Sequence, residues 1–317
     1  MGARDHALCG TGQTVIATST RAINHSSLTT NHFARTGSLR FVSAASFRHS
    51  RPMTLIRTER RGAIELWTLD RPDRLNALPD LEDGEAFAAA CERVNADLSV
   101  RCVVLTGAGR AFSAGGDLKA MRERRDLFEG SGAEIRERYR RVVHRIVRSL
   151  YGLEVPLVSA VNGPAMGLGC DIAGLGDIRI ASETASFGVP FLKLGILPGD
   201  GGAWLMPRNV GYARAAEMLF TSRVLDAQTA MEWGLVSRVV APERLMDEAM
   251  AIAGDIAAQA PHALRMTKAL LRQGRDATFD QILEMTAAMQ ALAHLTEDHL
   301  EGVSASLEKR RGTFEGR

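Results

Sequence analysis

Hydrophobic and polar positions along the chain fall into a regular pattern from Thr54 onward. Residues 63–69, Ala-Ile-Glu-Leu-Trp-Thr-Leu, alternate as a half-buried strand does, and the turn-rich Asp70-Arg71-Pro72-Asp73 ends them. A helical stretch follows over residues 82–96. Short apolar runs at residues 102–106 and 156–161 predict buried strands, and residues 178–181 and 185–187 read as two more. Between them Ile135, Tyr139, Val142, Val143, Ile146, Val147 and Leu150 recur at helical spacing. Ser131 with Glu134 three residues on is a capping-box signal for the start of that helix. Beyond about Val240 the strand pattern stops, and residues 244–259, 262–272, 279–293 and 296–311 all read as helices. Strands alternating with helices, then a helical tail, predict an α/β domain with an α-helical appendage. Residues 53–255 form the core in this reading and residues 256–317 the helical region. Ile282, Leu283, Met289 and Leu292 are apolar on a tail helix with little of its own to bury against. A neighbouring subunit would cover that face, and so would docking back on the same chain.

Residues 1–52 depart from this pattern. They hold six arginines, seven serines, seven threonines and a single acid, Asp5, with no sustained apolar period. A mitochondrial transit segment has that bias, and so does an extension upstream of a start at Met53. The lack of a convincing amphipathic helix favours the extension, and with it a cytoplasmic location over the mitochondrial matrix. The formal charge of +2 gives no global field that draws the chain to nucleic acid or membrane, and no basic patch with interleaved aromatics is present. Cys9, Cys91, Cys102 and Cys170 lie far apart, which suggests reduced thiols rather than a disulfide frame or zinc site. The longest weakly charged stretch, residues 155–170, is interrupted by Asn162, Gly163 and Pro164 and is too short to span a bilayer.

There is no GxxxxGK[ST], no HExxH and no GxSxG. Gly167-Leu168-Gly169 lacks the third glycine of a dinucleotide fingerprint, since Ile172 stands where it is needed. The histidines from His144 onward sit singly on helical segments and imply no metal. Two glycine-rich turns share one design instead. The strand at 102–106 leads into Ala114-Gly115-Gly116-Asp117-Leu118 and a helix; the strand at 156–161 leads into Gly167-Leu168-Gly169-Cys170-Asp171 and a helix. A helix start leaves N–H groups unpaired at the positive end of a dipole. Two such turns converging on one point would make an oxyanion hole from backbone donors, which favours an enolate oxygen over a ground-state carbonyl. Taken alone, either turn reads equally as a tight strand-to-helix connection with no ligand.

Six ordered blocks carry a resemblance. They are Leu69-Asp70-Arg71-Pro72 with Leu75-Asn76-Ala77-Leu78, residues 112–117, Ala160-Val161-Asn162-Gly163, residues 187–199, Gly234-Leu235-Val236, and the tail from Glu297-Asp298 to Glu308-Lys309-Arg310. From about Met53 to the C-terminus the chain resembles the crotonase (enoyl-CoA hydratase/isomerase) superfamily. The resemblance implies a spiral of ββα units with a C-terminal helical trimerisation region, a homotrimer or dimer of trimers, and an acyl-CoA thioester as substrate. It implies no cofactor beyond the coenzyme A moiety. By resemblance the oxyanion donors are the N–H groups of Gly116 and Leu168, the second being glycine in most of the family. Substrate contacts map to Arg74, Ala77, Ala114, Gly115, Asp117, Leu118, Pro190 and Phe191, with Lys309 reaching the coenzyme A phosphates.

Hydration of an enoyl thioester needs one group to deprotonate water and another to protonate the α-carbon. Typical hydratases of the family use two glutamates. The first maps to Asp171, three residues after Leu168 and so on the same helical face as that donor. The second maps to Phe191, which can move no proton. Asp200, in Pro198-Gly199-Asp200-Gly201-Gly202, is the nearest acid able to substitute, and it reads equally as a turn residue. Asp177 precedes a strand and reads as structural. Three functions follow: an enoyl-CoA hydratase with a modified acid pair, a double-bond isomerase that needs a single base, or an acyl-CoA-binding protein without chemistry.

Overall fold

A computed structural model describes residues 55–317, so the basic leader read over residues 1–52, with Cys9, lies outside the described residues. In chain order the first elements are β1 (Ile56–Arg61), β2 (Ile64–Leu69), α1 (Asp83–Ala96), β3 (Cys102–Gly107), α2 (Leu118–Glu123), α3 (Gly132–Arg141), α4 (Val143–Tyr151) and β4 (Leu157–Val161). Next come β5 (Ala165–Met166), α5 (Leu168–Gly174), β6 (Ile178–Ser182), β7 (Ser186–Gly188), α6 (Gly202–Val210), α7 (Tyr212–Thr221), β8 (Val224–Asp226), α8 (Ala227–Glu232) and β9 (Arg238–Val240). Four helices close the chain: α9 (Leu245–Ala257), α10 (Pro261–Gln273), α11 (Phe279–His294) and α12 (Glu297–Leu307).

Six strands form the main sheet in the order β1-β2-β3-β4-β6-β9. Only β1 runs antiparallel to its neighbour; the other pairings are parallel. A small second sheet, β5-β7-β8, stands beside it. Parallel strands need cover on both faces, and alternate residues of β3 and β4 supply it. Val103, Leu105, Leu157 and Val161 pack with Phe87, Ile146 and Leu150 on one side. Cys102, Val104, Val158 and Ala160 pack with Leu245, Ala249 and Ala253 of α9 on the other. The α/β reading, with helices gathered at the C-terminus, is what the chain adopts.

Two local readings need correction. β2 is buried along its whole length rather than half-buried. Glu65 is tolerated there because its carboxylate accepts a hydrogen bond from Trp67 Nε1 at 2.8 Å and pairs with Arg93 of α1. The single helical period over residues 135–150 is two helices, broken at Val142 (φ −110°, ψ −73°). Gly84 of α1 presses on that break, where a Cβ would lie 2.7 Å from Arg141 O. The strand read over residues 185–187 is present as β7 and lies in the small sheet. The capping box at Ser131 and Glu134 forms with both of its bonds. Asp177 is structural as read, accepting from Leu157 N at 2.7 Å and pairing with the buried Lys268 at 2.6 Å.

The tail attaches through charge. Arg265 of α10 donates to the carbonyls of Val94, Asn95 and Asp97 at 3.0–3.2 Å, a cationic partner for the acceptors at the end of α1. α11 has no buried residue, and Leu283 and Leu292 stay 49% and 63% exposed, so the described chain does not cover that face itself. No helix among the described residues is long and apolar enough to cross a membrane. Replacing Arg265 by Ala is expected to lower the unfolding free energy by about 2–4 kcal/mol, because several hydrogen bonds to a charged donor are lost at once. Urea denaturation checks this; a loss below about 1 kcal/mol would mean that α10 is held by packing alone.

Candidate active site

The loop after β3 is fixed before it reaches its glycines. Asn76 is fully buried; its Oδ1 accepts from Arg71 N at 2.9 Å while Nδ2 donates to the Ala108 and Ala111 carbonyls at 2.9 and 2.8 Å. Asn162, at the end of β4, accepts from Gly107 N and donates to Gly109 O at 3.1 and 2.9 Å. Arg71 is itself buried on Asp83 in a two-pronged pair of 2.8 and 2.7 Å. The asparagines at positions 76 and 162 therefore clamp one loop from two sides.

Next, Ser113 is paired with the second turn: its N–H donates to Pro164 O at 3.1 Å and its carbonyl accepts from Met166 N at 2.9 Å. The Ala114 amide donates to Leu75 O and the Gly115 amide to Ser113 Oγ. Gly115 has φ +73°, and a Cβ on it would collide with Met166 O and lie 3.5 Å from Gly167 Cα. Only glycine permits this approach of backbone to backbone. The following amide, Gly116 N–H, has no acceptor among the described residues. On the other turn Gly167, at φ +52°, donates to Gly188 O at 2.8 Å, and Leu168 opens α5 with its N–H likewise without an acceptor. Two unpaired amides thus flank a main-chain contact between the turns.

Asp171, on the first turn of α5, is 0% exposed, and neither carboxyl oxygen has a hydrogen-bond partner. Both oxygens sit against Gly202, where a Cβ would lie 2.7 Å away. Burial, and then the charge of Asp200, push the Asp171 carboxyl well above the usual carboxylate range. Asp200 is 6% exposed and burial raises it to about 7. The acid that reads from sequence as a turn residue is thus drawn inside beside Asp171. Phe191 is 8% exposed, with its ring edge against Gly167. Its other side faces an apolar cavity of about 230 Å³ lined by Val189, Leu192, Ala203 and Ala216. Pro190 before it is half-buried. Met121 of α2 lies directly against Gly116.

Farther out, Arg74, Asp117 and Arg125 line a polar cavity of about 270 Å³ with Pro79, Asp80 and Leu127. Arg74 pairs with Asp80 at 2.8 Å. Asp117 caps α2, accepting from Lys119 N and Ala120 N at 2.8 and 3.0 Å. Ala77 is buried, Ala114 half-buried and Leu118 exposed at the rim. Lys309 is exposed just past α12 and does not line this cavity.

Two residues that sequence reasoning passed over also reach the site. His144 donates through Nε2–H to Gly199 O at 3.0 Å, and the Tyr139 ring lies against Gly199. Burial, then the Asp200 charge, push the Tyr139 phenol up to about 12. A lone histidine 55 residues before Gly199, and a tyrosine earlier still, give no local signal of that meeting.

Comparison with known proteins agrees with this architecture. Residues 59–317 match the profile of the family described as enoyl-CoA hydratase/isomerase. The chain is 39% identical over 257 residues to the 1,2-epoxyphenylacetyl-CoA isomerase of Escherichia coli (strain K12), covering 81% of this chain and 96% of the relative. It is 36% identical over 260 residues to the crotonyl-CoA hydratase of Syntrophomonas wolfei subsp. wolfei, covering 81% and 96%. Among solved structures, the crystal structure of an enoyl-CoA hydratase from Bacillus anthracis superposes with a TM-score of 0.77 at 32% identity, over 83% of this chain and 100% of that one. The chain belongs to the enoyl-CoA hydratase/isomerase family, within the crotonase superfamily.

Proposed function

We propose that this protein adds water across the double bond of a 2-enoyl-CoA thioester, through an enolate held by the N–H groups of Gly116 and Leu168. The observation that carries the reading is a coupled pair of buried carboxyls, Asp171 on the same helical turn as the Leu168 amide, with that amide and the Gly116 amide lacking an acceptor among the described residues. Donors left unpaired in the resting protein stabilise charge only when it develops on the thioester oxygen, which is where a barrier is lowered. The two acids divide the proton work because their environments differ. Burial holds the Asp171 carboxyl well above its ordinary range, which favours the protonated form, and Asp171 delivers that proton to C2. Asp200, near 7, is partly ionised there and takes a proton from the water whose oxygen bonds to C3. A proton passing from Asp200 back to Asp171 resets the pair. Nothing beyond the coenzyme A moiety is required by this chemistry. Arg74, Ala77, Ala114, Gly115, Asp117, Leu118 and Pro190 line the thioester's path in this reading, and Lys309 reaches the phosphates from a neighbouring copy. The uncovered apolar face of α11 supports assembly as a homotrimer or dimer of trimers.

A second reading tolerates the apolar ring of Phe191 at the position of the second acid. It is an isomerase in which Asp171, ionised, takes a proton from one carbon and returns it to another. Against it, single-base isomerases of the family usually keep an acid at that position. Loss of enoyl absorbance with trans-2-enoyl-CoA esters supports hydration. Its appearance from 3-enoyl esters, without that loss, supports isomerisation. Thioester binding with neither signal, and no deuterium uptake at the α-carbon in heavy water, leaves a binder.

Asp171→Asn is expected to lower kcat by about 10²- to 10⁴-fold with KM changed little; an unchanged rate in steady-state assays removes Asp171 from the mechanism. For hydration, kcat/KM is expected to rise with pH through an apparent pKa of about 7, and Asp200→Asn abolishes that limb. A profile flat between pH 5 and 8 would assign the water to another group. Stability carries the opposite sign. Asp200 rises from 3.8 to about 7 on folding, so the folded protein holds the extra proton in that window. Its stability is full below 3.8 and is lost as pH rises toward 7. Thermal melts of Asp200→Asn and wild type should therefore diverge between pH 5 and 8, with the variant gaining at pH 8.

A further inference from the structure

The segment that precedes β4 does more than cover the sheet. Tyr139 and His144 are five residues apart, which on one continuous helix places them about 140° apart around the axis. His144 would then face away from whatever Tyr139 touches. Instead α3 ends at Arg141 and α4 begins at Val143, and the break at Val142 turns both rings to the same place. They meet edge to face, with centroids 6.3 Å apart and planes at 77°. Both close on Gly199. The Tyr139 ring lies where a Cβ on Gly199 would come within 3.2 Å of its Cε1, and His144 Nε2 is 3.0 Å from the Gly199 carbonyl oxygen. A carbonyl oxygen only accepts, so the hydrogen sits on Nε2. The next residue is Asp200.

This turn is otherwise weakly held. Gly199, Gly201 and Gly202 surround the acid; Gly201 has φ +97°, and no hydrogen bond to the Asp200 carboxyl is formed among the described residues. A buried carboxyl in a glycine turn with no partner has no fixed direction of its own. We propose that Tyr139 and His144 are positioning residues for Asp200: the imidazole N–H on the Gly199 carbonyl, backed by the phenol ring, fixes the turn so that the Asp200 carboxyl faces Asp171. The break at Val142, and the glycine at position 84 that lets α1 press against it, belong to the same device. The titratable groups set around Asp200 are Asp171 from α5, Tyr139 from α3 and, across Gly199, His144 from α4. The proposal rests on Asp200 taking part in the reaction, and a separate readout keeps the two apart.

The test compares His144→Leu, which removes the donor, with His144→Gln, whose amide nitrogen can reach the same carbonyl. The Leu variant is expected to lose about 10- to 100-fold in kcat on a 2-enoyl-CoA ester, as a displaced catalytic group does, with KM moved less than about threefold. The Gln variant should recover most of that loss. In parallel, isotope-edited infrared titration of the Asp200 carboxyl should move by about one unit or more toward the ordinary value in the Leu variant, as the turn opens to water. A Leu variant that keeps both kcat and the carboxyl titration overturns the proposal. So does a Gln variant as impaired as Leu, or a loss that tracks a lowered Tm in both. Should Asp200→Asn leave turnover intact, the role of Asp200 in the reaction falls, while the infrared titration still decides whether His144 positions it.

Discussion

Everything in the molecule depends on two pieces of main chain lying against each other without side chains between them. Gly115 on one turn meets Met166 and Gly167 on the other, and the amides next in line on each side are left with nothing to bond. An unpaired amide inside a protein costs free energy. The surrounding structure keeps that cost from relaxing away. Ser113 bridges the turns in parallel-strand fashion, and Asn76 and Asn162 hold the approach to them from opposite sides. Two of the six blocks that carry the family resemblance are these clamps. Leu75-Asn76-Ala77-Leu78 and Ala160-Val161-Asn162-Gly163 are marked because they set the geometry of a loop that neither contains.

Against that fixed frame the acids are the variable part. A glutamate pair typifies hydratases of the family, whereas here an aspartate, a phenylalanine and a turn aspartate stand around the same turns. Phe191 fills its position with an apolar ring. Burial raises both remaining carboxyls, Asp171 most of all.

Much of the fold could be read from the chain. Apolar runs marked β3, β4 and β6, and Ser131 with Glu134 marked the start of α3, because those signals are local. Other elements were hidden for physical reasons. β1 is an edge strand whose residues after Ile56 are all exposed, so its sequence, Ile-Arg-Thr-Glu-Arg-Arg, carries no apolar period. α6 begins among glycines and contains Pro207, which reads as a breaker. The break at Val142 packs against Gly84, far away in sequence, and no periodicity within residues 135–150 could show it. The site divides the same way. The donor turns and Asp171 lie within local motifs. The burial of Asp200 and the arrival of Tyr139 and His144 exist only once α3, α4 and the turn before α6 have packed together.

Leu168 bears on how this turn responds to heat. Its side chain, almost wholly buried, bolts the first residue of α5 to the apolar interior, while Gly167 alone absorbs the unusual backbone angle. With glycine at 168 the amide would swivel with every loosening of the turn. With leucine it can swivel only if the interior itself comes apart. Partial warming should then leave this amide in place until the surrounding core melts.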